Sequence, residues 1–284
     1  MLSKFNYLKP KSLDEALAYI KENPGTKLLA GGTDLMIVLR RNMEIVDHVL
    51  DIKDIPETKR FEYKAGEGLF IGASVTVNEI SECDVVAEKY AAVKEAADSL
   101  ASYQLRNRAT LVGNLCNASP GADLASPLLV FDAVVHIAGP NGIREVALEN
   151  FFTGVKRTVL VPGEIVIGVM LPDVKAGDTS VFLKQARIKG HDLGIAGVSI
   201  RRTGEGKLCV GMTAVAPTPI RLRNLEESLQ SKPFSAETAE WLNEEIKHHI
   251  KPISDIRSSA EYRLHVSGVL AQKGLMQLIA MGGK

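Results

Sequence analysis

Two glycine-bearing turns carry the residues best suited to chemistry. The first, Ala30-Gly31-Gly32-Thr33-Asp34, follows the apolar pair Leu28-Leu29 and precedes an apolar stretch that begins at Leu35. Paired glycines let backbone amides come close to an anion, and the start of a helix adds about half a positive charge. Thr33 and Asp34 bring side chains suited to a phosphate or a sugar hydroxyl. Taken alone, such a turn is equally an ordinary strand-to-helix connection. The second turn, Thr110-Leu111-Val112-Gly113-Asn114, continues through Asn117-Ala118-Ser119-Pro120 to Asp123. Small polar groups gather there with little bulk, as a site that wraps a polar ligand needs. Neither turn is a G-x-G-x-x-G fingerprint or a G-x-x-x-x-G-K-[ST] loop, so ordinary Rossmann and P-loop chemistry is not supported.

Other reactive side chains read as structural. Cys83, Cys116 and Cys209 lie far apart and in no metal-ligand spacing. An iron–sulfur cluster usually takes four thiolates, so none is expected on this chain. Cys116, inside the second turn, reads as a small buried filler rather than a nucleophile. His248 and His249 are adjacent and therefore diverge on a helix, which disfavours shared metal binding. His136 within a strand reads as structural, and His191 as a solvated loop residue. Arg40-Arg41 and Arg201-Arg202 read as solvated faces.

These turns need elements to hold them. Ser12-Leu13-Asp14-Glu15 is a capping box opening a helix that Asn23-Pro24-Gly25 stops. Lys27 to Ala30 reads as a short buried strand, Leu35 to Leu39 as helical, and His48 to Ile52 as a returning strand. A second unit starts with a strand at Leu69 to Ala73. Thr76 caps a short helix, and one longer Ala-rich helix is expected over Val85 to Leu100. After the Asn107–Asp123 passage come a helix (Leu124 to Phe131), a strand (Ala133 to Ala138), a turn at Gly139-Pro140-Asn141-Gly142 and a strand over Glu164 to Leu171. Beyond Pro172 the character changes to three strands (Val181 to Lys184, Gly197 to Arg201, Lys207 to Val215) and then helices, including one over Ala236 to Ile250. Strands followed by helices suggest a separate α+β domain.

The whole chain has 284 residues, 45% hydrophobic and 24% charged, with 34 basic against 34 acidic side chains. This is a globular composition without the net charge that would attract nucleic acid or an anionic membrane. With no apolar signal region near the N-terminus and no membrane-length apolar run, the expectation is a cytoplasmic, reduced protein without a transmembrane segment.

In order, Ala30-Gly31-Gly32-Thr33-Asp34-Leu35, Ile71-Gly72-Ala73, Arg106-Asn107-Arg108-Ala109-Thr110, Gly113-Asn114 and Ser119-Pro120-x-x-Asp123 resemble the FAD-binding medium subunit of the xanthine dehydrogenase and carbon monoxide dehydrogenase (molybdenum hydroxylase) family. The resemblance implies an α+β chain with a two-subdomain FAD-binding fold of the PCMH type over 1–175, its subdomains being approximately 1–55 and 56–175. A C-terminal domain of antiparallel strands and helices would occupy 176–284. It implies FAD as cofactor, with Leu28, Leu29, Ala30, Gly31, Gly32, Thr33, Asp34 and Leu35 along the pyrophosphate and ribityl portion. Thr110, Leu111, Val112, Gly113 and Asn114 would hold the diphosphate from the second turn, and Asp123 the polar chain. Leu100 and Val166 would pack near the cofactor, Lys184 would lie beside the flavin, and the loop carrying Leu193 would cover the ring. No residue of this chain is expected to act as a catalytic acid or base. Expected partners are a large molybdopterin-binding subunit and a small 2Fe-2S subunit, with electrons leaving FAD for NAD or another acceptor. The alternatives are a stand-alone flavin oxidoreductase and a scaffold with a decayed flavin site. One departure stands out: the family has two glycines before the asparagine, whereas Val112 precedes Gly113 here. A β-branched residue resists positive φ, so the turn is expected to differ and flavin binding to weaken.

Overall fold

A computed structural model describes residues 3–188 and 192–282. The opening fifty residues alternate strand and helix: β1 (Asn6–Leu8), α1 (Leu13–Glu22), β2 (Lys27–Leu29), α2 (Leu35–Arg41) and β3 (His48–Asp51). The strands pair in parallel in the order β1-β3-β2, with Leu8 and Leu28 both opposite Leu50. Parallel neighbours need crossovers, and α1 and α2 supply them. Ser12 caps α1 by accepting from the Glu15 amide, but the Glu15 carboxylate accepts from the Lys11 amide, so the expected box is displaced by one residue.

The second unit is built on a five-stranded antiparallel sheet. Its elements are α3 (Pro56–Lys59), β4 (Phe61–Lys64), β5 (Gly68–Gly72), α4 (Val77–Ser81), α5 (Asp84–Lys89), α6 (Ala91–Ser99), α7 (Tyr103–Arg106), α8 (Leu111–Cys116), α9 (Ala125–Val130), β6 (Val134–Gly139), β7 (Gly142–Ala147), the small hairpin β8 (Phe152–Gly154) and β9 (Arg157–Thr158), and β10 (Ile165–Pro172). The sheet order is β4-β5-β10-β6-β7. Its central strands β5 and β10 are buried almost throughout, which is why they were legible as apolar runs. The edge strands β4 and β7 carry alternating or mostly exposed side chains and gave no such signal. The single helix expected over Val85 to Leu100 is two helices. Tyr90 breaks it with φ −129° and ψ 49°. Its ring is fully buried edge-on against Phe131, and its hydroxyl donates to the Pro172 carbonyl at 3.1 Å. A tertiary anchor, not a local breaker residue, sets that bend.

The third unit is an antiparallel sheet, β11 (Thr179–Gln185), β12 (Ala196–Arg202), β13 (Leu208–Thr213) and β14 (Ile220–Arg221) in that order, followed by α10 (Arg223–Gln230), α11 (Ala236–Glu245) and α12 (Ala260–Gly282). One core fills the space around the five-stranded sheet, and a second lies between this sheet and its helices. The two are stitched at the edge strand β11. The Ser180 hydroxyl accepts from the Ala92 amide at the start of α6, and Glu95 on α6 accepts from the Phe182 amide. Edge donors and helix-end donors are thus satisfied across the boundary. Arg201 and Arg202 are not solvated. Arg201 pairs with Asp178 at 2.8 Å and donates to the Val130 carbonyl, and Arg202 stacks on Phe234 at 4.6 Å. Among the described residues no helix is long and apolar enough to cross a membrane.

Candidate functional site

The two glycine turns meet. A Cβ built on Gly31 would lie 2.1 Å from the Arg108 carbonyl oxygen, so only glycine lets the first turn seat against the backbone that leads into the second. Gly32 has φ +76°, a conformation natural only to glycine, and its carbonyl accepts from the Met36 amide as α2 begins. Asp34 stands at the N-cap position of α2 without capping it; its carboxylate instead faces Asn117 of the second turn, 3.4 Å from Nδ2. Thr110 caps α8 by accepting from the Gly113 amide at 3.0 Å. Thr110 also bridges to Thr76, which begins α4 with a complete capping box. Each turn is therefore held from behind by regular structure.

Between the turns lies a cleft of about 610 Å³, within the usual range of small-molecule sites, roughly 300–1,000 Å³. Of the residues expected to bind cofactor, Leu28, Ala30, Gly31, Gly32, Thr33, Asp34, Leu35, Leu100, Thr110, Val112, Gly113, Asn114, Asp123, Val166 and Leu193 line it. Three do not. Leu29 turns toward the small cluster formed by Leu39, Val46 and Val49. Leu111 is fully buried in the core behind α8. Lys184 points at Asp123 rather than into the cleft: its Nζ lies 2.6 Å from Asp123 Oδ2 and 3.3 Å from the Ser99 carbonyl. A buried ammonium needs a counter-charge and acceptors, and that demand fixes its direction. Val112 sits inside α8 with no positive φ, so the conformational objection to a β-branched residue does not arise. His191 lies outside the described residues.

The cleft also takes in residues that carried no expected cofactor role, among them Val38, Ile52, Leu105, Asn117 and Leu160, together with Asp192 of the loop expected over the ring. Asn117 belongs to the same Gly- and Asn-rich passage and could have been assigned from it. Leu160 and Leu105 give no local signal, since only the packing of distant segments brings them there.

Two buried acceptors in this wall have no partner among the described residues: Asn114 Oδ1 and Asp123 Oδ1. Buried polar atoms are nearly always satisfied, so unpaired ones at a cleft call for a ligand that donates hydrogen bonds. Burial pushes the Asp123 carboxyl above its ordinary value, against the pull of Lys184. Cys116 is half-buried and lines the cleft rather than being a wholly buried filler, and desolvation pushes its thiol up to about 12. Among the described residues no cluster of three His, Cys, Asp or Glu could hold a metal. His136 packs edge-on to Phe70, and His249 faces Glu245 at 3.2 Å. The observed features suit a long, hydroxyl-bearing anionic ligand with an apolar end. They comprise a backbone-only approach, unpaired acceptors, and apolar walls from Leu28, Leu100 and Val166.

Residues 3–174 match the family model described as FAD binding domain in molybdopterin dehydrogenase, and residues 181–278 match CO dehydrogenase flavoprotein C-terminal domain. This chain belongs to the family of FAD-binding medium subunits of molybdenum hydroxylases. It is 31% identical to the xanthine dehydrogenase FAD-binding subunit of Escherichia coli O157:H7, across 98% of this chain and 97% of that one. It is 29% identical to the carbon monoxide dehydrogenase medium chain of Hydrogenophaga pseudoflava, across 96% of each. The solved carbon monoxide dehydrogenase of that organism superposes with a TM-score of 0.92, covering 99% of both chains. A flavin subunit of this family is an oxidoreductase component, and the expected cofactor, FAD, is the one its family model names.

Proposed function

We propose that the cleft between the Gly31–Gly32 and Thr110–Asn114 turns holds FAD, and that the chain is an electron-transfer subunit. In this reading a 2Fe-2S partner subunit delivers electrons that a molybdopterin-binding partner takes from substrate, and they leave for NAD or another acceptor. The observation that carries the reading is the backbone contact of Gly31 on Arg108, which joins two turns some eighty positions apart around one cleft. When bound, FAD supplies two-electron redox chemistry at its flavin ring. The chain's own residues bind and orient. The backbone around Gly31, Gly32 and Gly113 admits the diphosphate closely, while Asn114 and Asp123 offer their unpaired oxygens to donors on the cofactor. Leu100, Val166 and Leu193 exclude water, and Lys184 keeps Asp123 in place from behind. The division at about residue 175, between FAD-binding and C-terminal domains, and a cytoplasmic setting with reduced cysteines belong to the same proposal. Similar relatives act on different compounds, xanthine and carbon monoxide by their names, which fits a substrate choice made on another subunit.

The protein as purified is expected to be yellow, or to take up FAD, and G32V is expected to abolish uptake. At φ +76° with the Leu29 side chain 2.8 Å from a built Cβ, valine fits neither the backbone nor the space. FAD titration followed by protein fluorescence decides: equal affinity in G32V removes the first turn from the site. Rapid-mixing reduction of NAD by the purified complex tests the acceptor, and a flavin that reduces while NAD does not would point to a different one.

A further inference from the structure

Arg263, a buried cation of the C-terminal domain, stands outside the cleft lining. Arg263, near the start of α12, is 3% exposed. Its Nη1 donates to two carbonyls, Ile195 at 2.7 Å and Ala214 at 3.0 Å, and its Nη2 lies 2.8 Å from Asp255 Oδ1. Both carbonyls belong to segments that border the cleft. Ile195 follows Leu193 and Gly194; Leu193 lines the cleft, and a Cβ on Gly194 would lie 3.2 Å from Asp123 Oδ1. Ala214 holds a left-handed φ of +64°, and its amide donates to the Pro120 carbonyl at 2.7 Å. Pro120 stands between Ser119 and Gly121, two more cleft residues.

A general need for burial does not explain an arginine here, since an apolar side chain of similar volume fills a core with less desolvation. What the guanidinium adds is one cationic nitrogen, Nη1, that holds both carbonyl oxygens at once, while its Nε and Nη2 have no hydrogen-bond partner among the described residues. Asp255 supplies the counter-charge beside Nη2 and is itself held by the Arg257 and Ser258 amides, which donate to its Oδ1. We propose that Arg263 is a positioning residue for the flavin cleft. From α12 it fixes the Leu193–Ile195 segment directly and the Ser119–Gly121 turn through Ala214, and so sets the wall that the C-terminal domain presents to the cofactor.

This inference rests on FAD occupying the cleft, and the test separates the two. The full-length chain, stripped of flavin, is titrated with FAD, and the visible circular dichroism of the bound flavin is recorded beside the urea midpoint. Wild-type protein that takes up no FAD sinks the cofactor reading itself. Given wild-type uptake, R263M is expected to weaken FAD binding about tenfold and to change the flavin dichroism, with R263K intermediate in both. L275A is the control for mere loss of stability. Leu275 is fully buried in the same domain core, about 18 Å along the same helix, and L275A is expected to lower the urea midpoint while leaving flavin affinity and dichroism unchanged. Wild-type affinity and dichroism in R263M overturn the proposal, as does an L275A protein that loses flavin in equal measure at equal stability. Should R263M not fold, R263K and D255N decide on the same two readouts, and unchanged values in both overturn it.

Discussion

At Gly31 the first side-chain atom would overlap a carbonyl oxygen of the neighbouring turn, and no rotamer relieves a clash made by Cβ itself. G31A is therefore expected to lose roughly 1–3 kcal/mol of stability, as overpacked sites do, and to bind FAD at least about tenfold more weakly. Gly25 supplies the comparison. Nothing lies within 4 Å of its built Cβ, but its φ is +86°. G25A should cost about 1–2 kcal/mol through backbone strain alone, with flavin affinity unchanged. Urea unfolding and FAD titration of the two variants separate fold from site, and equal flavin loss in both would show that Gly31 acts only through stability. At Val112 the helical backbone asks for no glycine, so the departure from the family pattern is a change of side chain in the cleft wall rather than of turn geometry.

Among the elements, α4 shows how a short helix positions a turn. Five residues cannot sustain a helix by propensity, and this one is held by its cap and its packing. The Thr76 hydroxyl receives the Glu79 amide at 3.3 Å, while Glu79 Oε2 accepts from the Thr76 amide at 2.7 Å. The Val77 amide then donates to the Ala109 carbonyl at 2.8 Å, tying the helix start to the second glycine turn. T76A is expected to cost about 1 kcal/mol, the usual value of a lost N-cap, as a lower urea midpoint. Flavin affinity should stay within about twofold, because the link to the second turn is made by backbone atoms. Stability unchanged in T76A would mean that packing alone holds α4.

Across the whole molecule, the buried pair of Lys184 and Asp123 joins the two domains directly behind the cleft. Removing one partner from such a pair leaves a buried charge alone and costs roughly 3–5 kcal/mol, so K184M should be strongly destabilised at neutral pH. Its pH dependence has a definite sign. Burial already raises the Asp123 carboxyl, and loss of Lys184 removes the opposing influence. A carboxyl raised in the folded state destabilises progressively as pH climbs above its unfolded value, about 4. The K184M penalty should thus be smallest near pH 4 and grow toward neutrality, and the double variant D123N/K184M should lose most of that slope. Urea midpoints across this range test it; a penalty independent of pH would show that lost packing, not stranded charge, is responsible.

The chain's alternation of apolar strands, caps and glycine turns carried the element order, and the ordered motifs carried the family, because both are local and set by backbone rules that a few residues reveal. Turn residues such as Gly31, Gly32, Gly113 and Asp123 were legible for that reason. The break at Tyr90 depends on a partner more than eighty residues away, the edge strands β4 and β7 on neighbours that supply their ladders, and the inward turn of Arg201 on Asp178 and Phe131. Lys184 likewise takes its direction from Asp123, and Leu160 joins the cleft through packing alone. Side-chain direction is an outcome of burial and pairing between distant segments, and those exist only once the chain has folded.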